Sequence, residues 1–228
     1  MLTVFRKEMK YMIPLEKYMQ IKVPLEALMK KDMYGDEGTY IVRSQYYDSL
    51  HNRDLQDNLS GVMEKRKIRL RIYSTQDKTV KLEYKCKSNM DGLKRSILIS
   101  RDEALQMERH QYGFLLNRKE SLAQELYIRM MQGCYRPKTI ITYKRTALAY
   151  PDSDVRITFD TELKATVNPY GLFEEEPMLI PMMSQDIGIL EVKYNDFLPY
   201  PLKAVVNRLD SLAESSSKYS RSRLMYVY

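Results

Sequence analysis

Pairs of charged or phenolic side chains, spaced two residues apart, recur along this sequence and are the residues best suited to chemistry. They stand in the segments RKEMKY, KIRLRIY, KLEYKCK, ITYKRT and ILEVKY, and VRITFD adds Arg156, Thr158 and Asp160 at the same spacing. In a β-strand, residues i and i+2 leave the same face of the pleat. Each segment therefore predicts a strand whose polar face carries the pair and whose other face is largely apolar.

A charged strand face is ordinarily a solvated one, because antiparallel sheets often turn one face to the core and the other to water. Here the polar positions are almost all Lys, Arg or Glu, flanked by apolar residues. The cations are Lys10, Arg69, Arg71, Lys85, Lys87, Arg145, Arg156 and Lys193, and the carboxylates are Glu8, Glu83, Asp160 and Glu191. A closed barrel accounts for the pattern, with apolar side chains packed outward against helices and charged ones lining a wet interior.

The surplus of cations predicts a multiply charged anion in that interior, because cations packed together are unfavourable unless water and anions compensate them. Arginine can donate two parallel hydrogen bonds to phosphate oxygens, and lysine acts as a point charge. Each charge-assisted hydrogen bond contributes about 1.5–3 kcal/mol. A phosphate chain is favoured over nucleic acid because few aromatic residues alternate with the cations. The carboxylates suit a hard divalent cation that bridges protein and phosphates.

Strands and helices are needed to position these residues, and the apolar periodicity predicts both. The expected strands are Val4–Met12, Thr39–Asp48, Lys65–Tyr73, Thr79–Lys87, Lys94–Ile99, Thr139–Ala147, Asp154–Glu162 and Ile187–Tyr194. The expected helices run from Pro14 to about Lys31 with a kink or break at Pro24, over Arg101–Leu116, over Glu120–Gln132, and from Pro201 to about Ser216.

Local sequence signals sharpen these boundaries. Ser100 and Glu103 form a capping-box pattern before one helix, and Gly133 is placed to end another. Asn168–Ser184, with its prolines and acidic run, predicts a long loop. We expect one α+β domain over residues 1–228, since no repeat, low-complexity tract or linker divides the chain.

Composition excludes several common kinds of site. The chain of 228 residues has only 8 glycines and contains neither GxxxxGK[ST] nor GxGxxG, which excludes P-loop and Rossmann nucleotide binding. Cys86 and Cys134 fit no metal-ligand spacing, and His51 and His110 lack the partners of a metal site or a catalytic triad. Side chains of the charged strands must therefore bind any phosphates.

We expect neither a signal peptide nor a membrane-spanning segment in this sequence. The start, MLTVFRKEMKYMIP, places charges inside any would-be apolar region, which is atypical of a signal peptide. No uncharged apolar run approaches the roughly 20 residues that span a bilayer. The net charge of +7 predicts an anionic partner. We expect a soluble, cytoplasmic protein.

The charged segments, followed by KYSR near the end, resemble the VTC-domain polyphosphate polymerases. This family belongs to the triphosphate tunnel metalloenzymes, with the CYTH-type phosphatases and cyclases. The matching segments run in order from Arg6 to Arg221. The resemblance implies an eight-stranded antiparallel tunnel barrel with helices outside and a C-terminal helix near the tunnel mouth. It also implies transfer of the ATP γ-phosphate to a growing polyphosphate chain with Mn²⁺ or Mg²⁺.

The resemblance assigns expected roles to individual residues. Those expected to hold the triphosphate or the product chain are Lys10, Arg69, Arg71, Lys85, Arg145, Arg156 and Lys193, with Tyr143, Lys87, and Lys94 or Arg95 in support. Glu191 is the expected metal ligand, with Glu8 and Glu83 as further carboxylates. Lys218, Ser220 and Arg221 would meet the tunnel from the C-terminal helix, although Arg221 stands where the family has lysine.

Three functions remain open at this point. The first is an ATP-dependent polyphosphate polymerase, a transferase whose partners are ATP, inorganic phosphate and polyphosphate. The second is a tripolyphosphatase or nucleoside triphosphatase that uses water as the acceptor. The third is a non-catalytic module that binds polyphosphate. None of the three requires nucleic acid or a membrane span in this chain, and a partner at a membrane stays open.

Overall fold

The computed structural model describes residues 7–32, 35, 38–88, 91–151, 153–166, 168–214 and 217–225. The first three residues of the expected strand Val4–Met12, and the expected helix end at Ser216, lie outside these ranges. Among the described residues, no helix is both long enough and apolar enough to cross a membrane.

All eight expected strands are present. They run over Lys7–Pro14 (β1), Thr39–Asp48 (β3), Lys65–Ile72 (β4), Thr79–Ser88 (β5), Asp91–Ser100 (β6), Arg136–Ala149 (β7), Arg156–Thr166 (β8) and Ile187–Tyr194 (β10). Two short strands join them, Lys30–Lys31 (β2) and Ile180–Pro181 (β9). The second of these lies within the segment expected to be a loop.

The strands form one antiparallel sheet in the order β1-β10-β8-β7-β3-β4-β5-β6, with β2 beside β7 and β9 beside β8. The register is continuous along β5 and β6, where Glu83 lies opposite Ser96, and along β1 and β10, where Lys10 lies opposite Glu191. No pairing between β1 and β6 is present among the described strands. The antiparallel α+β class is confirmed, and closure into a barrel stays a prediction.

Six α-helices and one 3₁₀ helix accompany the sheet in the described part of the chain. They run over Leu15–Leu28 (α1), Arg53–Leu59 (α2), Arg101–Glu108 (α3), Gly113–Asn117 (3₁₀), Ser121–Gln132 (α4), Tyr200–Asn207 (α5) and Lys218–Leu224 (α6). The capping box is confirmed, since the Ser100 side chain accepts from Glu103 N and the Glu103 carboxylate accepts from Ser100 N.

Three expected helix boundaries were wrong. Helix α1 ends at Leu28 instead of near Lys31, and it continues through Pro24 without the break that was one of the two expected outcomes there. The helix from Arg101 ends at Glu108, and the chain reverses at His110 with a φ of 61° before the 3₁₀ turn. The helix near the C-terminus ends at Asn207 instead of near Ser216, and Leu212, which follows it, is 90% exposed.

The chain divides into two compact units, each with its own apolar core. The first unit comprises Met1–Ile41, Tyr143–Lys164 and Pro181–Ser217. Its core joins the inner faces of β1, β8 and β10 to α1 and α5, with Tyr18 stacked on Phe159 at 3.7 Å between ring centres. The apolar alternation along these strands leaves their other face to the charged residues.

The second unit comprises Val42–Thr142, Ala165–Ile180 and Lys218–Tyr228. Apolar side chains of β4, β5 and β6 pack with α3, α4 and the 3₁₀ turn, with Ile68, Leu70 and Leu82 fully buried. Because these apolar residues alternate with charged ones, Arg69, Arg71 and Glu83 leave the opposite face of the same strands.

Candidate functional site

Many of the expected site residues fall into two polar clusters, one in each unit. The Glu191 cluster of the first unit consists of Glu8, Lys10, Tyr143, Arg145, Asp160, Glu191 and Lys193. The Glu83 cluster of the second unit consists of Ser44, Tyr46, Arg69, Arg71, Glu83 and Lys94. In each cluster one buried glutamate contacts three cations.

Glu191 is the centre of the first cluster. The β1–β10 register places Lys10 opposite it, and Lys193 follows two residues later on the same face. Lys193 Nζ lies 2.7 Å from Glu191 Oε2, Lys10 Nζ lies 3.6 Å from Oε1, and an Arg145 nitrogen lies 4.0 Å from Oε2. Lys10 also contacts Glu8 at 2.7 Å. The carboxylate thus holds three cations from three strands.

Arg145 is fixed by a second carboxylate. Its Nε donates to Asp160 Oδ1 at 2.6 Å and its Nη2 donates to Oδ2 at 2.8 Å, and the guanidinium carbon lies 5.2 Å from the centre of the Tyr143 ring. Burial would lower the pKa of Arg145, but Tyr143 and Asp160 outweigh it and raise that pKa well above its ordinary value. Arg145 is therefore a rigid, permanent positive charge.

The two lysines of this cluster respond differently to burial. Burial lowers the pKa of Lys193, and the attraction of Glu191 and Glu8 only partly opposes it. For Lys10, the same two carboxylates outweigh burial and raise the pKa. With three cations and three carboxylates, the Glu191 cluster is close to neutral.

Arg156 lies on the same strand as Asp160 but has other partners. Its Nη2 contacts the Asp32 carboxylate and donates to the Tyr40 hydroxyl at 3.2 Å. The sequence analysis singled out neither partner, although Tyr40 belongs to the expected strand Thr39–Asp48. Arg156 opposes Lys193 across the β8–β10 pair.

Glu83 is the centre of the second cluster. Its side chain is 3% exposed, and Arg69 Nε donates to its Oε2 at 2.6 Å. Arg71 Nε lies 3.8 Å from the same oxygen, and Lys94 Nζ contacts Oε1. Burial alone would raise the pKa of Glu83, but these three cations hold it well below its ordinary value.

Strand β3 adds two residues that the sequence analysis missed. Arg69 Nη1 donates to the Tyr46 hydroxyl at 2.8 Å, and Arg71 Nε donates to Ser44 Oγ at 3.2 Å. Burial would raise the pKa of Tyr46, but Arg69 and Arg71 outweigh it and lower the pKa. The signal was present in the sequence, because Ser44 and Tyr46 are two residues apart on an expected strand.

The C-terminal helix α6 meets the Glu83 cluster through Tyr219. The Tyr219 ring stacks on Tyr46 at 5.3 Å, and its hydroxyl donates to Asp48 Oδ2 at 2.6 Å. Lys218 lowers the pKa of Tyr46 by its charge, after the larger effects of burial and the two arginines. Ser220 is buried and Arg221 follows on the same helix, so the KYSR segment belongs to the unit that holds this cluster.

The remaining expected residues divide by strand face. Lys85 and Lys87 are exposed and share the face of Glu83 on β5. Arg95 lies on the other face, where it contacts Glu125 and stacks over Tyr84 at 5.6 Å. Of the alternatives Lys94 and Arg95, the structure therefore places only Lys94 in the cluster, and the expected role for Arg95 is corrected because adjacent strand residues point to opposite faces.

The expected metal ligands are likewise divided, with Glu8 and Glu191 in the first unit and Glu83 in the second. Within the described ranges, no three residues among His, Cys, Asp and Glu converge as a metal-binding group. Magnesium is commonly held by only one or two protein carboxylates together with substrate phosphates. Glu8 and Glu191, which share Lys10 as a contact, fit that kind of donor set.

Comparison with solved structures defines the fold. A proposed adenylate cyclase from Bacillus halodurans aligns with a TM-score of 0.57 at 11% identity, covering 95% of this chain and 98% of that one. A proposed adenylate cyclase from Vibrio parahaemolyticus aligns with a TM-score of 0.53 at 11% identity, covering 96% and 98%. At this identity the likeness establishes a shared fold and nothing further.

Comparison with protein families then identifies the chain. The profile of the VTC domain matches residues 5–226, and the protein belongs to the VTC domain family. The family resemblance carried by the charged segments is confirmed. A comparison with curated protein sequences finds no match.

Proposed function

We propose that this VTC domain is an ATP-dependent polyphosphate polymerase. It would transfer the γ-phosphate of ATP to a growing polyphosphate chain with the help of Mn²⁺ or Mg²⁺. The observation that carries the proposal is the Glu83 cluster, in which one buried carboxylate contacts two arginines and a lysine on a strand face of a VTC-family fold. Such a cluster has a positive surplus that a phosphate chain can neutralise.

The two clusters differ in charge balance, which supports a different binding role for each. In the Glu83 cluster three cations face one carboxylate, and the exposed Lys85 and Lys87 add to the same face. The Glu191 cluster has equal numbers of cations and carboxylates. We therefore assign phosphate binding mainly to the Glu83 cluster and metal binding to Glu191, with Glu8 as the second carboxylate.

The reaction requires positioning and charge neutralisation more than covalent chemistry by side chains. A terminal oxygen of the acceptor chain forms a bond to the γ-phosphorus, the bond from that phosphorus to the β–γ bridging oxygen breaks, and ADP leaves. Glu83 and Tyr46 hold Arg69 in place before substrate arrives, so little reorganisation is needed as charge develops. A bound metal would supply further positive charge at the phosphates.

An assay with ATP distinguishes the polymerase from the two other functions. Purified protein is incubated with ATP and Mn²⁺, and both polyphosphate chains and released phosphate are followed over time. Polyphosphate chains support the proposal. Phosphate without chains identifies a hydrolase, and the absence of both products identifies a binding module; either result contradicts the polymerase.

Two variants test the assigned residues. Glu191→Gln removes the charge of the proposed metal ligand, and Arg69→Ala removes a phosphate-binding fork while Glu83 keeps Arg71 and Lys94. We expect each to abolish turnover while the circular dichroism spectrum is retained. The matched controls Glu16→Gln and Arg109→Ala change exposed residues of the same types and should keep full activity. Wild-type turnover in either test variant contradicts the site assignment.

A further inference from the structure

A pocket of about 290 Å³ in the second unit contains three arginines that the proposed function does not use. Arg53 from α2, Arg66 from β4 and Arg129 from α4 line it, with Asp54 and Glu125 as its carboxyl groups. Its volume is near the lower end for small-molecule sites, which are typically about 300–1,000 Å³. The pocket is therefore large enough for a small phosphorylated ligand.

The positive charge of the arginines in this pocket exceeds the negative charge of the carboxylates that pair with them. Neither Arg53 nor Arg129 forms an ion pair with a carboxylate in the part of the chain that the structure describes. Arg66 pairs with Glu64 at 2.6 Å, and the Glu64 side chain is 60% exposed, so solvent weakens that pair. Arg129 also carries a buried Nε for which the described residues offer no hydrogen-bond partner.

The two carboxyl groups of the pocket repel a bound anion only weakly, because neither carries a full, unpaired negative charge. Glu125 contacts Arg95 and is neutralised by it. Burial and the nearby Asp48 raise the pKa of Asp54 to about 7, so this carboxyl carries only part of a negative charge at neutral pH. The Tyr135 hydroxyl donates to Asp54 Oδ2 at 3.0 Å and fixes its orientation.

We propose that this pocket binds an anion bearing one or more phosphate groups, held by the guanidinium groups of Arg53, Arg66 and Arg129. Planar guanidinium groups match phosphate oxygens as two-pronged donors. Arg129 is already held in position, because it lies over the Tyr84 ring at 5.5 Å from the ring centre.

This pocket is separate from the Glu83 cluster. Arg66 lies opposite Cys86 in the β4–β5 register, whereas Arg69 lies opposite Glu83. Positions 66 and 69 of one strand point to opposite faces, so the pocket and the cluster occupy opposite faces of β4. The second unit would thus carry two phosphate-binding sites that substitutions can remove independently.

Equilibrium binding of radiolabelled pyrophosphate tests the proposal. The wild-type chain should bind pyrophosphate at the pocket and at the Glu83 cluster. Arg53→Gln/Arg129→Gln should weaken pyrophosphate binding at the pocket by about tenfold or more, since each substitution removes a charge-assisted hydrogen bond to the anion. Arg69→Ala/Arg71→Ala should remove the other site and leave the pocket unchanged.

A control variant with the same loss of charge distinguishes binding at the pocket from a general effect of net charge. Arg109→Gln/Arg136→Gln removes the same charge from exposed positions that do not line the pocket, and it should bind as the wild type does. Should the pocket double variant fail to fold, as judged by circular dichroism, the single variant of the exposed Arg53 serves instead. The proposal is overturned if the Arg69→Ala/Arg71→Ala protein binds no pyrophosphate, or if the pocket variant binds as tightly as the wild type. This readout is independent of ATP turnover.

Discussion

In the Glu83 cluster and in the Glu191 cluster, a buried carboxylate holds three cations together. Glu83 is almost inaccessible, and its three cationic contacts would repel one another without it. The same holds for Glu191 with Lys10, Arg145 and Lys193. These carboxylates therefore stabilise the fold as well as arrange the cations, and substituting them tests both effects.

The first prediction concerns the stability that Glu83 contributes. Glu83→Gln leaves Arg69, Arg71 and Lys94 without their shared counter-charge, and we expect the free energy of unfolding to fall by about 3 kcal/mol. Urea unfolding followed by circular dichroism measures the change. The control Glu64→Gln breaks an exposed pair and should cost less than about 1 kcal/mol. Equal losses in the two variants would contradict the central role of Glu83.

The stability that Glu83 contributes should depend on pH, because the pKa of its carboxyl is lowered in the folded protein. Unfolded protein binds a proton at Glu83 near the ordinary pKa of 4.5, whereas the folded protein does so only at lower pH. The contribution of Glu83 is therefore present above about pH 4.5 and is lost as the pH falls below it. The stability difference between wild type and Glu83→Gln should shrink on acidification; a constant difference would contradict the assignment.

Asp54 should show the opposite pH dependence. Burial and Asp48 raise its pKa to about 7, with Asp57 acting in the same direction and Tyr135 and Arg129 opposing. Folded protein then holds this proton over a pH range in which unfolded protein has released it, so its contribution to stability falls between about pH 4 and pH 7. Asp54→Asn should gain stability relative to wild type as the pH rises through this range. Thermal unfolding at pH 5 and pH 8 measures it, and parallel profiles would contradict it.

At the scale of elements, α6 depends on a few buried contacts because it is only 7 residues long. Tyr219 is 1% exposed and joins α6 to β3 through its bond to Asp48 and its stacking on Tyr46. Backbone N–H groups of Ser49, Asp54 and Leu55 donate to the same Asp48 carboxyl. Asp48 thus connects α6 with the start of α2.

Tyr219→Phe tests this connection. The substitution keeps the ring and removes only the hydroxyl donor, so we expect a loss of about 1.5–3 kcal/mol and faster amide hydrogen exchange in Lys218–Leu224. Hydrogen-exchange mass spectrometry measures the local effect. Tyr200→Phe, which alters a tyrosine that is 83% exposed, is the control. Unchanged exchange in α6 would show that the hydroxyl bond does not hold the helix.

Elements with strong periodicity were predicted well from the sequence, and those with mixed signals were not. The strands Thr39–Asp48 and Ile187–Tyr194 have the expected bounds because their alternation is local. The short helix α2 was missed, since its polar sequence RDLQDNL shows little apolar periodicity. It follows a left-handed Asn52 with a φ of 56°, which is a backbone feature that sequence periodicity does not report.

For the molecule as a whole, the cationic surplus should make phosphate binding sensitive to ionic strength. Exposed charges are screened as the Debye length falls from about 10 Å at 0.1 M salt to about 3 Å at 1 M. We expect tripolyphosphate binding to weaken severalfold over this range. Lys85→Gln/Lys87→Gln should reduce the salt dependence, whereas Lys119→Gln/Lys203→Gln, at exposed positions elsewhere, should not. Equal salt slopes in all three proteins would contradict a role for the β5 lysines.

The sequence by itself determined the strands, the polar face of each strand and membership of the VTC domain family. These properties are encoded over a few neighbouring residues, because period-two alternation fixes which side chains share a face. The tertiary structure decided which faces meet. Lys10 and Glu191 are far apart in the chain and come together only through the register of β1 and β10. Likewise, Arg53, Arg66 and Arg129 showed no shared pattern, because packing of two helices against one strand is what brings them to one pocket.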